Sequence, residues 1–170
     1  LGGELRADVC IIGGGFSGLN TAIERELIAR KRLVKDGPWY AGRPVMVTRN
    51  DSALGVFNGD IGITLPSPDG LLRVYFLDGD QLRSVGVARL AHIETAFAMT
   101  VHKSQGSEFT HAALVLPAYG GSVLGRELVY TGITRAKAQC TVFTQHPKVL
   151  AQALAQPTQR HSGLLEFFDS

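Results

Sequence analysis

The sequence has 170 residues, of which 45% are hydrophobic and 19% are charged, the proportions of an ordinary globular protein. The formal net charge of +2 permits a nucleic-acid partner without arguing for one, because local patches matter more than the sum. No apolar stretch approaches the roughly 20 residues that a membrane span needs. The N-terminus lacks the basic start and apolar run of a signal peptide. We therefore expect a cytoplasmic protein outside the membrane, and the first residue, a leucine, suggests a fragment of a longer chain.

The N-terminal region has the pattern of a strand, a glycine-rich loop and a helix. The apolar run 7–12 predicts a buried strand, and the spacing of apolar residues from Leu19 to about Val34 predicts a helix. Between them, 13–18 reads Gly-Gly-Gly-Phe-Ser-Gly and matches the G-x-G-x-x-G fingerprint of a Rossmann fold. Binding of FAD or NAD is therefore one hypothesis for this protein.

The dinucleotide hypothesis needs features that the following sequence does not supply. A second strand should end in an acidic residue about 20 positions further on. The candidate is Asp36, but it lies in a Gly-Pro turn after a highly charged stretch. We also expect no further βαβ unit in the chain. FAD or NAD binding is kept as an alternative, which a yellow colour on purification would support.

From Trp39 to Val87 the pattern changes to short alternating strands separated by turns. Strands are predicted at 44–48, 60–65, 71–76 and 82–85. Several short strands at this spacing predict a small β-barrel over residues 38–87, inserted into an α/β domain made of 1–37 and 88–170. The alternative is a β-rich decoration of the larger domain.

After the predicted barrel the sequence returns to α/β patterning, with a stretch that contains many polar side chains. Residues 95–109 begin apolar and end polar, and we expect a turn or short helix after His102, with Gly106 in a conformation that other residues avoid. The next run, 112–117, predicts a buried strand. The polar group should therefore lie where an element ends beside a sheet, the usual place for a site in an α/β fold.

A second stretch, 128–137, is mostly apolar and delivers one arginine, Arg135. A strand at 141–144 and a short helix at 149–155 are predicted after it. The two cysteines, Cys10 and Cys140, each lie in an apolar strand-like run. A disulfide between them is possible, but we expect buried reduced thiols.

Together, Ala98–Phe109 and Arg126–Ala136 resemble the last motifs of superfamily 1 helicases, and most closely the RecD family, the alpha subunit of exodeoxyribonuclease V. The resemblance also rests on Trp39–Met46, Asn50-Asp51 and Gly55–Gly62. It implies a RecA-like second motor domain of the P-loop NTPase type, interrupted by an SH3-like barrel at 38–87. The implied activity is that of an ATP-dependent 5′-to-3′ DNA helicase acting in double-strand-break repair and recombination.

The resemblance also implies roles for single residues. Arg135 resembles the arginine finger that reaches the γ-phosphate of ATP, and its alternative is an ordinary surface ion pair. The other implied ATP-side residues are Gln105, Gly106 and Glu108. The implied contacts to single-stranded DNA are Thr100, His102, Lys103, Asn50 and Asn58, with Arg49 beside them. For Glu108 the alternative is a solvated charge, for His102 a structural histidine, and for Asn50 and Asn58 turn formation.

Two motifs that a complete helicase needs do not occur in this sequence. It has no G-x-x-x-x-G-K-[ST] phosphate loop and no Asp-Glu pair to hold Mg²⁺. We expect ATP and Mg²⁺ to bind the intact parent and the fragment alone to be inactive. The implied partners are single-stranded DNA, the N-terminal motor domain of the same parent, and two larger subunits of the RecB and RecC type. The five histidines are too scattered to predict a metal site.

Two further alternatives remain open at this point. A stand-alone RecD-like helicase without those partner subunits is equally compatible with the motifs. A pure binding module, in which the barrel binds nucleic acid or peptide without any role for ATP, belongs to a different functional class. A phosphate loop in the upstream reading frame would favour a helicase over the module.

Overall fold

A computed structural model describes residues 9–12, 18–79, 81–119 and 124–155, which form two β-sheets and three helices. In chain order the elements are β1 (Val9–Ile12), α1 (Leu19–Ala29), β2 (Pro44–Val47), β3 (Ile61–Pro66), β4 (Leu72–Asp78), β5 (Gln81–Gly86), a 3₁₀ turn (Val87–Arg89), β6 (Ile93–Thr95), β7 (Met99–Thr100), β8 (Phe109–Val115), α2 (Arg126–Ile133), β9 (Ala136–Phe143) and α3 (Pro147–Ala155). In the described part of the chain, no helix has the length and apolarity to cross a membrane.

The first sheet is parallel and has the order β7-β1-β8-β9. Its core is formed by buried residues of β7, β8, α2 and α3, among them Met99, Leu114, Val129 and Val149. Helix α2 lies so close to the sheet that a Cβ atom at Gly132 would stand 2.9 Å from Cδ1 of Leu114. The strand predicted at 112–117 and the helix predicted at 149–155 are confirmed within a few residues.

The expectation of no further βαβ unit is wrong. Strands β8 and β9 are parallel neighbours, and α2 connects them. Helix α2 was not predicted because its sequence contains β-branched residues and a glycine, which are weaker helix formers than alanine or leucine. Strand β9 begins at Ala136, five residues before the predicted Thr141, and its first half was missed because it is largely exposed and lacks the apolar run of a buried strand.

Helix α1 ends at Ala29, earlier than the predicted Val34. Lys31 adopts a left-handed conformation with φ of 55°, and the amide of Arg32 donates to the carbonyl of Leu27 at 2.8 Å, a common way to end a helix. No strand lies between Ala29 and Pro44 in this fully described stretch, so Asp36 does not end a second Rossmann strand. Gly13 and Gly15 lie outside the described residues.

The second sheet is antiparallel, with the order β5-β4-β3-β2-β6. Its first four strands confirm the short strands predicted between Pro44 and Val85, and β6 adds a strand beyond the predicted boundary at 87. Its core includes Val45, Val74, Phe76 and Val85. Within the described residues β5 and β6 are the edges of the sheet and no ladder joins them, so a closed SH3-like barrel is not confirmed.

The segment that leads into β2 contacts both α1 and β6. The carboxylate of Glu24 accepts hydrogen bonds from the hydroxyl of buried Tyr40 and, at 2.8 Å, from the ammonium of Lys35. The hydrogen bond from Lys35, and next that from Tyr40, lowers the pKa of Glu24. Burial, followed by the bond to Glu24, raises the pKa of Tyr40. Arg43 donates to the hydroxyl of Thr95 from Nε at 3.1 Å and from Nη2 at 2.9 Å.

Candidate functional site

The polar segment 101–108 connects the C-terminal end of β7 to the N-terminal end of β8, so it runs between the two edges of the sheet at which the parallel strands end and begin. Ile12 pairs with both Thr100 and Val115, so Thr100 lies at the edge where β1 and β8 end. Phe109 is six residues before Val115 on β8, which places it about 20 Å away at roughly 3.3 Å per residue. The implied DNA-side and ATP-side residues of this segment therefore begin and end at opposite edges of one sheet.

A turn anchored by Ser104 shapes this segment. The Ser104 side chain is fully buried, and its hydroxyl donates to the carbonyl of Val101 at 2.7 Å. Its amide donates to the carbonyl of Thr100 at 3.1 Å. Gly106 has a φ of 86°, the left-handed conformation expected for this glycine. Ser104 therefore holds the turn in place.

At the DNA-side edge, the three implied residues lie in very different surroundings. Thr100 is half-buried, and its hydroxyl accepts from the amide of Lys103 at 3.2 Å. His102 is exposed. The ammonium of Lys103 forms an ion pair with the carboxylate of Glu94 on β6. Sequence reasoning missed Glu94, which lies nine residues earlier and on the other sheet.

Asn50 and Asn58 are brought together in the loop between β2 and β3. The side-chain oxygen of Asn50 accepts from the amide of Asn58 at 2.7 Å. With its amide oriented to suit its neighbours, Asn58 donates to the carbonyls of Thr48 at 3.2 Å and Val47 at 3.3 Å. These hydrogen bonds shape the loop, which is the role that the turn-forming alternative gives to both residues. Both side chains remain exposed, as does that of Arg49.

At the opposite edge, Arg135 joins the two motifs. It lies two residues beyond the end of α2, and its guanidinium donates from Nη1 to the carbonyl of Ser107 at 3.2 Å. Nε donates to the carbonyl of Thr131 at 3.1 Å, and Nη2 to the hydroxyl of Thr134 at 3.3 Å. The backbone carbonyl of Arg135 accepts from the amide of Phe109 at 2.8 Å.

Among the described residues, no carboxylate accepts a hydrogen bond from Arg135. In the part of the chain that the structure describes, its hydrogen-bond acceptors are all uncharged oxygens. The surface ion pair considered as its alternative belongs instead to Glu108, which pairs with Lys137 at 3.3 Å, both about 60% exposed. Gln105 and Gly106 are exposed nearby in sequence. A half-buried guanidinium held by neutral acceptors is suited to bind an anion such as phosphate.

The structure bears on the expectations for the cysteines and for a metal site. Cys140 is a free thiol, and burial raises its pKa. The side chain of Cys10 lies outside the described residues. Over the described ranges, no group of three or more histidine, cysteine, aspartate or glutamate side chains could hold a metal ion.

The two motifs coincide with a match to a known family. Residues 95–143 match the model of the UvrD-like helicase C-terminal domain. The chain is 43% identical over 152 residues to the RecBCD enzyme subunit RecD of Haemophilus influenzae, covering 88% of this chain and 22% of that protein. It is 45% identical over 127 residues to the same subunit of Mycobacterium tuberculosis, covering 75% and 22%.

A further relative is the ATP-dependent RecD2 DNA helicase of Deinococcus radiodurans, 33% identical over 133 residues that cover 78% of this chain and 18% of that protein. The chain thus spans less than a quarter of the length of these relatives. Among solved structures, a Pif1 helicase from Candida albicans superposes with a TM-score of 0.57 at 14% identity, covering 95% of this chain and 49% of that one. Pif1 from Bacteroides with ssDNA and ADP-AlF3 gives 0.51 at 17%, covering 95% and 44%. At these identities the likeness shows the fold alone.

Proposed function

The chain belongs to the RecD family of superfamily 1 helicases, and from that membership we propose that it is the C-terminal part of an ATP-dependent 5′-to-3′ DNA helicase. The parent would be the alpha subunit of exodeoxyribonuclease V, acting in double-strand-break repair and recombination. Residues 1–37 and 88–170 would form its RecA-like second motor domain, and 38–87 an inserted SH3-like barrel. The names and identities of the RecBCD relatives support this proposal.

One observation carries the ATP side of the proposal, the guanidinium of Arg135 held between neutral acceptors at the end of the first motif. Phosphoryl transfer depends on positioning and on neutralising charge on the transferred phosphate. Oxygens of the γ-phosphate of ATP are charged acceptors and would replace the carbonyl of Ser107 and the hydroxyl of Thr134 at the two Nη groups. The bond from Nε to Thr131 would keep the base of the fork in place.

The remaining ATP-side residues have smaller proposed roles. Gln105 and Gly106 would line the nucleotide side of the cleft, and Glu108 would contact the ribose after leaving Lys137. The phosphate loop and the carboxylate that holds Mg²⁺ would lie in the N-terminal motor domain of the parent. The fragment alone would therefore hydrolyse no ATP.

On the DNA side, the proposal rests on charge and exposure. The ammonium of Lys103 would exchange the carboxylate of Glu94 for a DNA phosphate, with exposed His102 and the hydroxyl of Thr100 beside it. The loop of Asn50 and Asn58 would extend the track along the second sheet. Buried Ser104 would hold the turn rigid and so fix the distance between the DNA-side and ATP-side residues. Gln105, in the same turn, would then couple DNA binding to ATP hydrolysis.

A second candidate function has its own support. The similarity to the ATP-dependent RecD2 DNA helicase covers 78% of this chain and supports a stand-alone RecD-like helicase as the second candidate. Co-purification of the full-length parent with RecB- and RecC-type subunits from its own cytoplasm supports the exonuclease V subunit. Recovery of the parent alone, with unwinding activity, supports the stand-alone enzyme.

The experiment that tests the helicase proposal is directional translocation by the full-length parent. Streptavidin bound to a biotin at one end of an oligonucleotide is displaced only when the enzyme moves toward that end. We expect ATP-dependent displacement from the 3′ end and none from the 5′ end. Displacement from the 5′ end alone, or DNA-independent ATP hydrolysis without displacement from either end, would contradict the proposal.

A further inference from the structure

The side-chain amide of Asn20 pairs with both backbone polar groups of Ala98. Its Nδ2 donates to the Ala98 carbonyl at 3.1 Å, and its Oδ1 accepts from the Ala98 amide at 2.8 Å. The residues are 78 positions apart, on α1 and on the segment that enters β7. An asparagine amide carries both a donor and an acceptor, so it can satisfy one residue's backbone as a neighbouring strand would.

Ala98 needs such a partner. It is 1% exposed and directly precedes β7, whose register with β1 begins at Met99. Strand β7 is an edge strand of two residues, so few ladder bonds hold it. Buried backbone groups left without a partner are strongly unfavourable. The amide of Asn20 therefore sets where this edge strand begins.

Ala98 lies close in the chain to the DNA-side residues, to which it is connected through Thr100. Thr100 follows two residues later, and its carbonyl and hydroxyl accept from the amides of Ser104 and Lys103. At the other end of the contact, Asn20 and Glu24 are four residues apart on one face of α1. Glu24 accepts hydrogen bonds from Tyr40 and Lys35, and these bonds hold α1, and with it Asn20, in place.

We infer that Asn20 is a positioning residue, which holds Thr100 and Lys103 in the geometry that binds single-stranded DNA. The inference rests on the proposed function, since it takes Thr100 and Lys103 as the DNA side. It adds a residue outside both helicase motifs, on the helix that follows the glycine-rich loop. Loss of its two bonds should weaken DNA binding without touching the ATP side, where Arg135 stands at the opposite sheet edge.

The test uses the full-length parent with two substitutions. Asn20→Leu keeps the size of the side chain and removes both bonds, whereas Asn20→Asp keeps only the acceptor for the Ala98 amide. We expect Asn20→Leu to raise the oligo(dT) concentration for half-maximal ATPase by roughly two- to thirtyfold, the range of coupling through a packed network. DNA-free hydrolysis and the KM for ATP should stay unchanged. Asn20→Asp should show a smaller rise, and Thr21→Ala, an exposed neighbour on α1, none.

A double variant separates positioning from general damage. If Asn20 acts through Thr100, Asn20→Leu should add little to the effect of Thr100→Val, because coupled residues are not additive. Effects that multiply in the double variant would overturn the inference. An unchanged oligo(dT) concentration for half-maximal ATPase in both Asn20 variants would also overturn the inference. If Asn20→Leu does not fold, the same measurement on Asn20→Asp alone tests it.

Amide hydrogen exchange of the DNA-free parent tests the inference apart from the proposed function. Faster exchange at 99–104 in an Asn20 variant supports positioning, even if the parent shows no DNA-stimulated hydrolysis and the helicase proposal fails. Unchanged exchange at 99–104 contradicts positioning whatever the enzyme does.

Discussion

Nη1 of Arg135 donates to the carbonyl of Ser107 at 3.2 Å, joining residues that are 28 positions apart in the chain. The amide of Phe109 strengthens the junction by donating to the carbonyl of Arg135 at 2.8 Å. The end of one motif and the arginine of the other are therefore held together at the edge of the sheet where β8 and β9 begin. This junction organises the proposed ATP side.

Replacing Glu94 by glutamine should strengthen binding of single-stranded DNA by the full-length parent. The carboxylate holds the ammonium of Lys103 in a partly exposed ion pair, which a DNA phosphate must displace. Such pairs contribute about 0.2–1 kcal/mol, so we expect an increase in affinity of up to about fivefold at low salt. Fluorescence anisotropy with labelled oligo(dT) measures it.

Glu26→Gln is the matched control for this prediction. It removes the same charge from an exposed ion pair, with Arg30 on α1. Its affinity for DNA should match that of the wild type. Weaker DNA binding by Glu94→Gln would mean that Glu94 supports Lys103 rather than competing for it.

Gly132→Ala should destabilise the protein, although alanine is the better helix former. The new methyl group would lie 2.9 Å from Cδ1 of fully buried Leu114. Overpacking of this kind costs about 1–3 kcal/mol, which exceeds the gain of roughly 0.5–1 kcal/mol for replacing a helical glycine. Gly86→Ala is the control, because a Cβ there meets nothing within 4 Å. Thermal unfolding should show a lower midpoint for the first variant only.

Glu24 should make stability depend on acid pH. Hydrogen bonds from Lys35 and Tyr40 lower its pKa in the folded protein. A depressed carboxyl pKa contributes stability above the unfolded-state value, about 4.3, and that contribution is lost as pH falls through the folded-state value. Wild type should therefore be more stable than Glu24→Gln at neutral pH, and the difference in unfolding midpoint should shrink below about pH 4. An equal difference at both pH values would show that packing, not charge, accounts for it.

The local parts of the fold could be predicted from the sequence. Strands β2 to β5 are short runs bounded by turn residues such as Asn58-Gly59, and β3 and β4 alternate buried with more exposed residues, so local sequence was enough to predict them. Helix α2 was not predicted, because Gly132 and several β-branched residues give it a weak local helix propensity, and its packing against Leu114 is not visible in the sequence. The βαβ unit was missed for the same reason.

The site divides in a similar way. The candidate residues, Arg135 among them, came from the resemblance of two stretches to helicase motifs, and their roles remain proposals. The contacts that determine how those residues act could not be predicted, since Glu94 reaches Lys103 and Asn20 reaches Ala98 across different elements. Such contacts depend on topology, and no local pattern in the sequence carries them.

The steady-state ATPase rate of the full-length parent carrying Arg135→Ala, with saturating oligo(dT), tests the central claim most directly. We predict a loss on the order of 10³–10⁵ in turnover, the contribution of an arginine finger. ATP and DNA affinities should be largely kept, and Arg135→Lys should recover little, because a point charge cannot reproduce the guanidinium fork. Lys148→Ala, which removes an exposed cation from α3, is the control and should hydrolyse ATP at the wild-type rate. Hydrolysis by Arg135→Ala within a few-fold of wild type would contradict the account.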